Sequence, residues 1–283
     1  STDEIGTLAS TFDEMTSKLQ QRTEELEKTY HILEQMDRTK ASFIDVSAHE
    51  LRSPLTSVKG YAQMMEIKTK DDPEMKTLTD GLVDGVDRMA EIVNNMLDVT
   101  RIDSNVLKLV PDNVQIAAVM MRVERTFRKS LQERNINLQT DGLGELPPLY
   151  VDPDLMYKVF YHLVMNAIKY TPDGGTVKVY GTIIRGNAKI PEMEVVVEDT
   201  GVGVANEHRE AIFEKFFQTG EVLFHSSGKT KFKGGGPGLG LAIARGIVNA
   251  HHGRIWVDSP GHDDEKCPGS KFIVRLPMTG SRI

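Results

Sequence analysis

The chain has 283 residues, 39% of them hydrophobic, with a formal net charge of −7 and a pI of about 5.7. That length fits about two domains, and the acidic balance argues against a nucleic-acid partner, which a basic face would accompany. A single cysteine, Cys267, excludes an internal disulfide and fits a reducing compartment, while no apolar run reaches the roughly 18 residues that span a membrane.

The first stretch reads as one long helix. Ile5, Leu8, Phe12, Met15, Leu19, Leu26, Leu33, Met36 and Phe43 fall on an alternating three- and four-residue spacing, interrupted by Arg22, Thr29 and Lys40. A sustained alternation of this kind is a coiled-coil seam. The apolar line then changes phase and continues through Ile44, Ala48, Leu51, Leu55, Val58, Ala62 and Met65. Such a break alters the supercoil locally, here just before His49. The helix is expected to end near Ile67, before the polar turn Thr69–Pro73. A second helix should carry Met75, Leu78, Leu82, Met89, Ile92, Met96 and Val99 on one stripe. One helical hairpin cannot bury both stripes, whereas two hairpins from two chains make a four-helix bundle. The expectation is therefore a homodimer through residues of about 1–105.

Composition shifts near Asn105–Pro111, and the rest reads as mixed α and β. Helices are expected over Ile116–Glu133, Asp154–Tyr170 and Leu239–His251. Strands are expected over Asn135–Thr140, Thr176–Ile184, Glu194–Glu198, Arg254–Asp258 and Lys271–Leu276. This order predicts an α+β two-layer sandwich.

Several segments carry possible chemistry. His49 follows Ala48 of the apolar line, so its ring points to solvent. A carboxylate on one ring nitrogen, such as that of Glu50, fixes the tautomer and leaves the other nitrogen a free lone pair for nucleophilic attack. Pro54 removes a backbone bond and crowds the carbonyl of Glu50, which builds a kink beside the histidine. Asp199 ends a β-forming run and is followed by Gly201 and Gly203, which let backbone approach a ligand closely. Its carboxylate can accept from an amino group such as that of adenine. The tract Gly234–Gly240 opens onto an apolar helix, and glycines before a helix N-terminus expose N–H groups to phosphate. No Gly-Lys-Ser/Thr follows, so this is not a P-loop. Lys229, Lys231 and Lys233 lie in a polar loop between the glycine sites. His162, Asn166, Lys169 and Tyr170 share one helix face. The Asn166 amide oxygen is a candidate Mg2+ ligand, Lys169 a phosphate contact and Tyr170 a surface for a base.

In this order, the segments resemble the sensor histidine kinases of two-component systems. Ser47–Thr56 is similar to the H box, Asn166–Tyr170 to the N box, Asp199–Gly203 to G1, Phe213–Phe217 to the F box, and Gly236–Gly240 to G2. Residues 1–19 resemble the end of a HAMP signal-relay helix. The division implied is 1–38 for this end and a coiled-coil signalling helix, 39–108 for the dimerisation and phosphotransfer hairpin, and 109–283 for the ATP-binding domain.

The resemblance implies a Bergerat-type sandwich that binds ATP and Mg2+. Asp199 would hold the adenine amino group, with Gly201, Gly203, Lys169, Tyr170 and Phe217 around the nucleotide and Asn166 on the metal. The backbone of Gly236, Gly238, Leu239 and Gly240 would cradle phosphates beneath a lid of about 218–235. His49 would attack the γ-phosphate with Glu50 as base, then pass the phosphoryl group to an aspartate of a response regulator receiver domain. Two positions depart from the family's pattern. His162 stands where an asparagine is frequent, and Ser53 where threonine or asparagine is frequent; that second position is associated with dephosphorylating the regulator. A clamp-type ATPase and a non-catalytic scaffold are the rival readings. Met165, rather than a carboxylate, precedes Asn166, against the first; intact His49, Asn166 and Asp199 stand against the second. The chain begins at Ser1, so a longer protein with an upstream transmembrane sensor is expected, this portion being cytoplasmic.

Overall fold

The computed structural model describes residues 15–16, 18, 20, 22–23, 54–65, 67–68, 72–185, 190–218, 232 and 237–278. The described residues between 15 and 23 are helical and exposed. The rest of the expected seam, including its phase shift and the residues around His49, lies outside the described residues.

Residues 54–65 are helical, and Lys59 joins them to the next helix through Asp87 at 2.7 Å. That helix, α1 (Pro73–Asp103), starts where its sequence dictates. Asp72 accepts from the N–H groups of Glu74 and Met75, and proline occupies the first turn, where it loses no hydrogen bond. It stops before Asn105, whose φ of 52° lies in the left-handed region. Three faces of α1 are distinct. Val86 is buried, as is Ala62 of the preceding helical segment. Met75, Leu78, Leu82, Met89 and Met96 form an exposed apolar line, 40–61% accessible. The third face packs on the remainder of the chain. Val99 joins the main core instead of the exposed line, and the wall of Ile102 stands 2.5 Å from where a Cβ on Gly246 would be. Polar pairs flank this contact: Asp98 with Lys158 at 2.6 Å, Asp103 with Lys215 at 2.6 Å, and the Tyr161 hydroxyl donating to Glu91 at 3.4 Å.

The remaining elements form two layers. The sheet comprises β2 (Asn137–Asp141), β4 (Thr176–Ile184), β5 (Glu192–Asp199), β7 (Ser270–Pro277) and β6 (Arg254–Asp258), adjacent in that order. Only β2 and β4 pair in parallel. Helices α2 (Ile116–Glu133), α3 (Pro153–Tyr170) and α4 (Gly240–Ala250) make the other layer. Alternation drives the layering. Met193, Val195 and Val197 of β5 are buried with Phe272, Val274 and Leu276 of β7, and Val195 faces Val274 across the ladder. Asp199 lies in phase with this inward apolar line. A small hairpin of β1 (Asp112–Val114) and β3 (Leu149–Val151) was not expected from the sequence. Strands of three residues are too short to display a period.

Two polar junctions hold the helical layer. Asp152 caps α3 by accepting from Asp154 and Leu155, and its other oxygen accepts from Val110. The Asp152 N–H donates to His251 Nε2 at 3.1 Å, and His251 Nδ1 lies 2.8 Å from the Ile247 carbonyl. A carbonyl can only accept, so Nδ1 carries the proton and the ring is neutral, as its burial favours. At the other end of α3, Arg134 donates to the carbonyls of Ile168 and Thr171 and to Asp173. Arg134→Met leaves two buried carbonyls without these donors. The expected loss is about 3 kcal/mol, or roughly 6–12 °C of melting temperature for a domain of this size. Thermal unfolding by circular dichroism tests this, and an unchanged transition contradicts it.

Candidate functional site

The site is assembled from β5, α3 and α4 by three close contacts. The first joins the end of α3 to the turn after β5. The Tyr170 carbonyl accepts from Val202 N–H at 3.1 Å, and a Cβ on Gly201 would stand 2.4 Å from that carbonyl. Residue 201 is therefore glycine for space. Gly203 is glycine for two reasons, a φ of 77° and the Gly261 carbonyl where its Cβ would be. Asp199 itself is 4% exposed, and its Oδ1 accepts from Gly201 N–H at 2.8 Å.

The second contact joins the middle of α3 to the start of α4. The ring of His162 lies against Gly240, the first residue of α4. Among the described residues no side chain caps this helix end, and its N-cap residue, Leu239, is fully buried. Uncapped N–H groups at a helix start favour an anion.

The third contact joins the segment before residues 219–231 to the turn before α4. Phe216 N–H donates to the Gly238 carbonyl at 2.9 Å. Gly238 has a φ of 69°, and its Cβ would lie 2.7 Å from the Phe217 carbonyl. Phe216 also sits in the left-handed region, at φ 61°, where a bulky side chain is uncommon.

Asn166 lies four residues from both His162 and Tyr170. At about 1.5 Å rise per residue, it stands some 6 Å along α3 from each contact, between the buried carboxylate and the uncapped helix end. The structure thus brings Asn166, Tyr170, Asp199, Gly201, Gly203, Phe217, Gly238, Leu239 and Gly240 around one region. Lys169 places its ammonium over the Tyr170 ring, 4.7 Å from the centroid, so one face of that ring is already covered. The Phe217 ring meets His208 edge-on at 5.3 Å. His49, Glu50, Ser53 and Gly236 lie outside the described residues, as do Lys229, Lys231 and Lys233. A cavity of about 300 Å3 opens beside Asp199, lined by Arg209, Ser259, Ser270 and Lys271 among others. Ser259 was not anticipated as an organiser. It is 2% exposed, accepts from Val204 N–H, and its hydroxyl lies within hydrogen-bonding reach of the carbonyls of Gly269 and Gly261. The only hint in the sequence is the glycine-flanked polar loop that follows it.

Two family descriptions match the sequence. "His Kinase A (phospho-acceptor) domain" matches residues 39–105, and "Histidine kinase-, DNA gyrase B-, and HSP90-like ATPase" matches residues 151–280. The chain belongs to the histidine kinases. Among its relatives, the adaptive-response sensory kinase SasA of Gloeothece citriformis is 30% identical over 259 residues, which is 89% of this chain and 61% of that protein. Sensor histidine kinase YclK of Bacillus subtilis is 28% identical over 280 residues, covering 99% of this chain and 54% of the relative. The structure of full-length ShkA in complex with AMPPNP superposes with a TM-score of 0.67 at 26% identity, over 85% of this chain and 47% of that one. The chain thus spans between half and two thirds of the length of these two sensory kinases. Among the described residues, no helix is long and apolar enough to cross a membrane.

In this histidine kinase the buried carboxylate has a measurable signature. Burial pushes Asp199 up from 3.8 to about 7, against the N–H groups of Gly201 and Ser270, which favour the charged form. A carboxyl with a raised folded pKa holds its proton more tightly in the folded state. Its contribution therefore falls as pH rises from about 4 through 7. Asp199→Asn keeps an acceptor for Gly201 and removes the charge. The variant should melt several degrees above wild type at pH 8, and the difference should shrink toward pH 4. Equal melting temperatures across that range would show that the carboxylate carries no burial cost.

Proposed function

We propose that this chain is the transmitter portion of a sensor histidine kinase, which uses ATP to phosphorylate its own His49 and passes the phosphoryl group to an aspartate of a response regulator. The observation that carries the reading is Asn166 between a buried carboxylate and an uncapped helix N-terminus. One end suits the adenine amino group, the other the phosphates. The amide between them suits a metal ion that takes its remaining ligands from phosphate and water, as Mg2+ does. Asn166 would hold that ion, which supplies charge neutralisation of the phosphates when bound. Met165 packs partly buried against the core. Met165, rather than a carboxylate, precedes Asn166, which favours transfer over hydrolysis.

The division of labour is 1–38 as a HAMP-like end and signalling helix, 39–108 as the dimerisation and phosphotransfer hairpin, and 109–283 as the ATP-binding domain. In the transfer step a ring nitrogen of His49 bonds to the γ-phosphorus while the bond to the ADP oxygen breaks. Glu50 accepts the proton that the ring releases. The phosphoryl group then moves to a receiver aspartate, and the Ser53 hydroxyl positions water when the regulator is dephosphorylated. An upstream transmembrane sensor in the whole protein would supply the signal.

With γ-labelled ATP and Mg2+, wild type should incorporate acid-labile label and His49→Gln none. Label of equal amount on the variant, or acid-stable label, would overturn the assignment.

The homodimer is supported by the exposed line on α1. Leu82→Glu with Met89→Glu places charge in an apolar seam and should convert a dimer to monomer in sedimentation velocity. A dimer that survives both substitutions places the interface elsewhere.

A further inference from the structure

Gly238 and Gly240 are glycines for different reasons. Gly238 has a left-handed φ. Gly240 does not, so its backbone accepts any residue; what excludes a side chain there is the neighbouring imidazole. A Cβ on Gly240 would stand 2.9 Å from His162 Nδ1 and 3.3 Å from Cγ. His162 is 9% exposed and makes no hydrogen bond among the described residues. Burial, with the Lys158 ammonium one turn away, lowers its pKa to about 4 and keeps the ring neutral. Tyr161 meets it edge-on at 5.4 Å. The ring is thus a rigid, uncharged body wedged between α3 and the first residue of α4, one turn from Asn166.

We propose that His162 is a positioning residue for the phosphate end of the site: its ring sets the distance between the amino end of α4 and the helix that carries Asn166. Residues 162 and 240 are a matched pair, one large and one without a side chain. Shrinking the first lets the start of α4 settle toward α3. Enlarging the second pushes it away. Either change misplaces the N–H groups that face phosphate. The adenine end is held separately, by the Tyr170 carbonyl against Gly201 and Val202, and should not respond. The inference rests on the nucleotide reading above and concerns only its phosphate half.

The test is calorimetric titration of the whole chain and three variants with adenosine, ADP and a non-hydrolysable ATP analogue, with melting curves confirming folding. His162→Ala should weaken ADP and the analogue about tenfold and leave adenosine within twofold. Gly240→Ala, which leaves the imidazole in place, should show the same split and supplies the test if the first variant does not fold. The His162→Ala/Gly240→Ala double variant should recover at least half of the loss, because the two changes offset one another. Equal weakening of adenosine and ADP, unchanged ADP affinity in both single variants, or an additive double variant would each overturn the proposal. If wild type bound neither ADP nor adenosine, the nucleotide reading itself would fall, and with it this inference.

Discussion

The contact between the Tyr170 carbonyl and the turn at Gly201–Val202 is the constraint on which the site depends. It joins the last residue of α3 to the end of β5, the two elements that carry Asn166 and Asp199. The approach is too close for any side chain at residue 201. It also uses a carbonyl at the end of α3 that would otherwise lack an intrahelical partner. Once this end is fixed, α3 has no freedom to slide over the sheet. Its other end is fixed too, by Asp152, which caps the helix and anchors it to His251 of the α4 terminus. Asn166 therefore has one position relative to both the carboxylate and the start of α4.

The same economy extends to α1. Its exposed apolar line, its face toward residues 54–65 and its face toward the sandwich divide one helix among three surfaces. The third surface is polar at its rim and apolar at its centre, with Val99 and Ile102 between Asp98 and Asp103. Surface ion pairs contribute little, but the Asp98 carboxylate is nearly buried, and Lys158 compensates it where water does not. Lys158 also lies one turn from His162, so the residue that joins α1 to the sandwich sits beside the phosphate end of the site.

Much of this was legible in the sequence because periodicity reports burial. Helix α2 shows Ile116, Val119, Met120, Val123, Phe127 and Leu131 on its inner face, and β4 to β7 alternate or run apolar as strands buried on one face should. What periodicity could not give was contact between elements. The pairing of Asp98 with Lys158 and of Asp103 with Lys215 joins residues far apart in the chain, which no period reports. Val99 read as part of one apolar stripe with Met75 to Met96, because one helix drawn alone cannot reveal three surfaces. The β1–β3 hairpin is too short to register. The left-handed Phe216 is unreadable in principle, since glycine or asparagine is what that backbone usually selects. Asp199 and Asn166 were legible only through motif, because a buried carboxylate contradicts the pattern around it.

That contradiction is itself informative. Six ionisable side chains are buried among the described residues: Asp98, Arg134, Asp152, His162, Asp199 and His251. Four have partners suited to their chemistry. Asp98 has Lys158, Arg134 two carbonyls and Asp173, Asp152 three N–H groups, and His251 one donor and one acceptor. These hold helices to one another, and their satisfaction is what makes their burial tolerable. Among the described residues, Asp199 has two N–H groups and no paired cation, and His162 makes no hydrogen bond. Both flank Asn166, from opposite ends. Asp199 and His162 thus bracket Asn166 along one line, from β5 to the start of α4. A ligand with a hydrogen-bonding base at one end and negative charge at the other is what that line is shaped to complete.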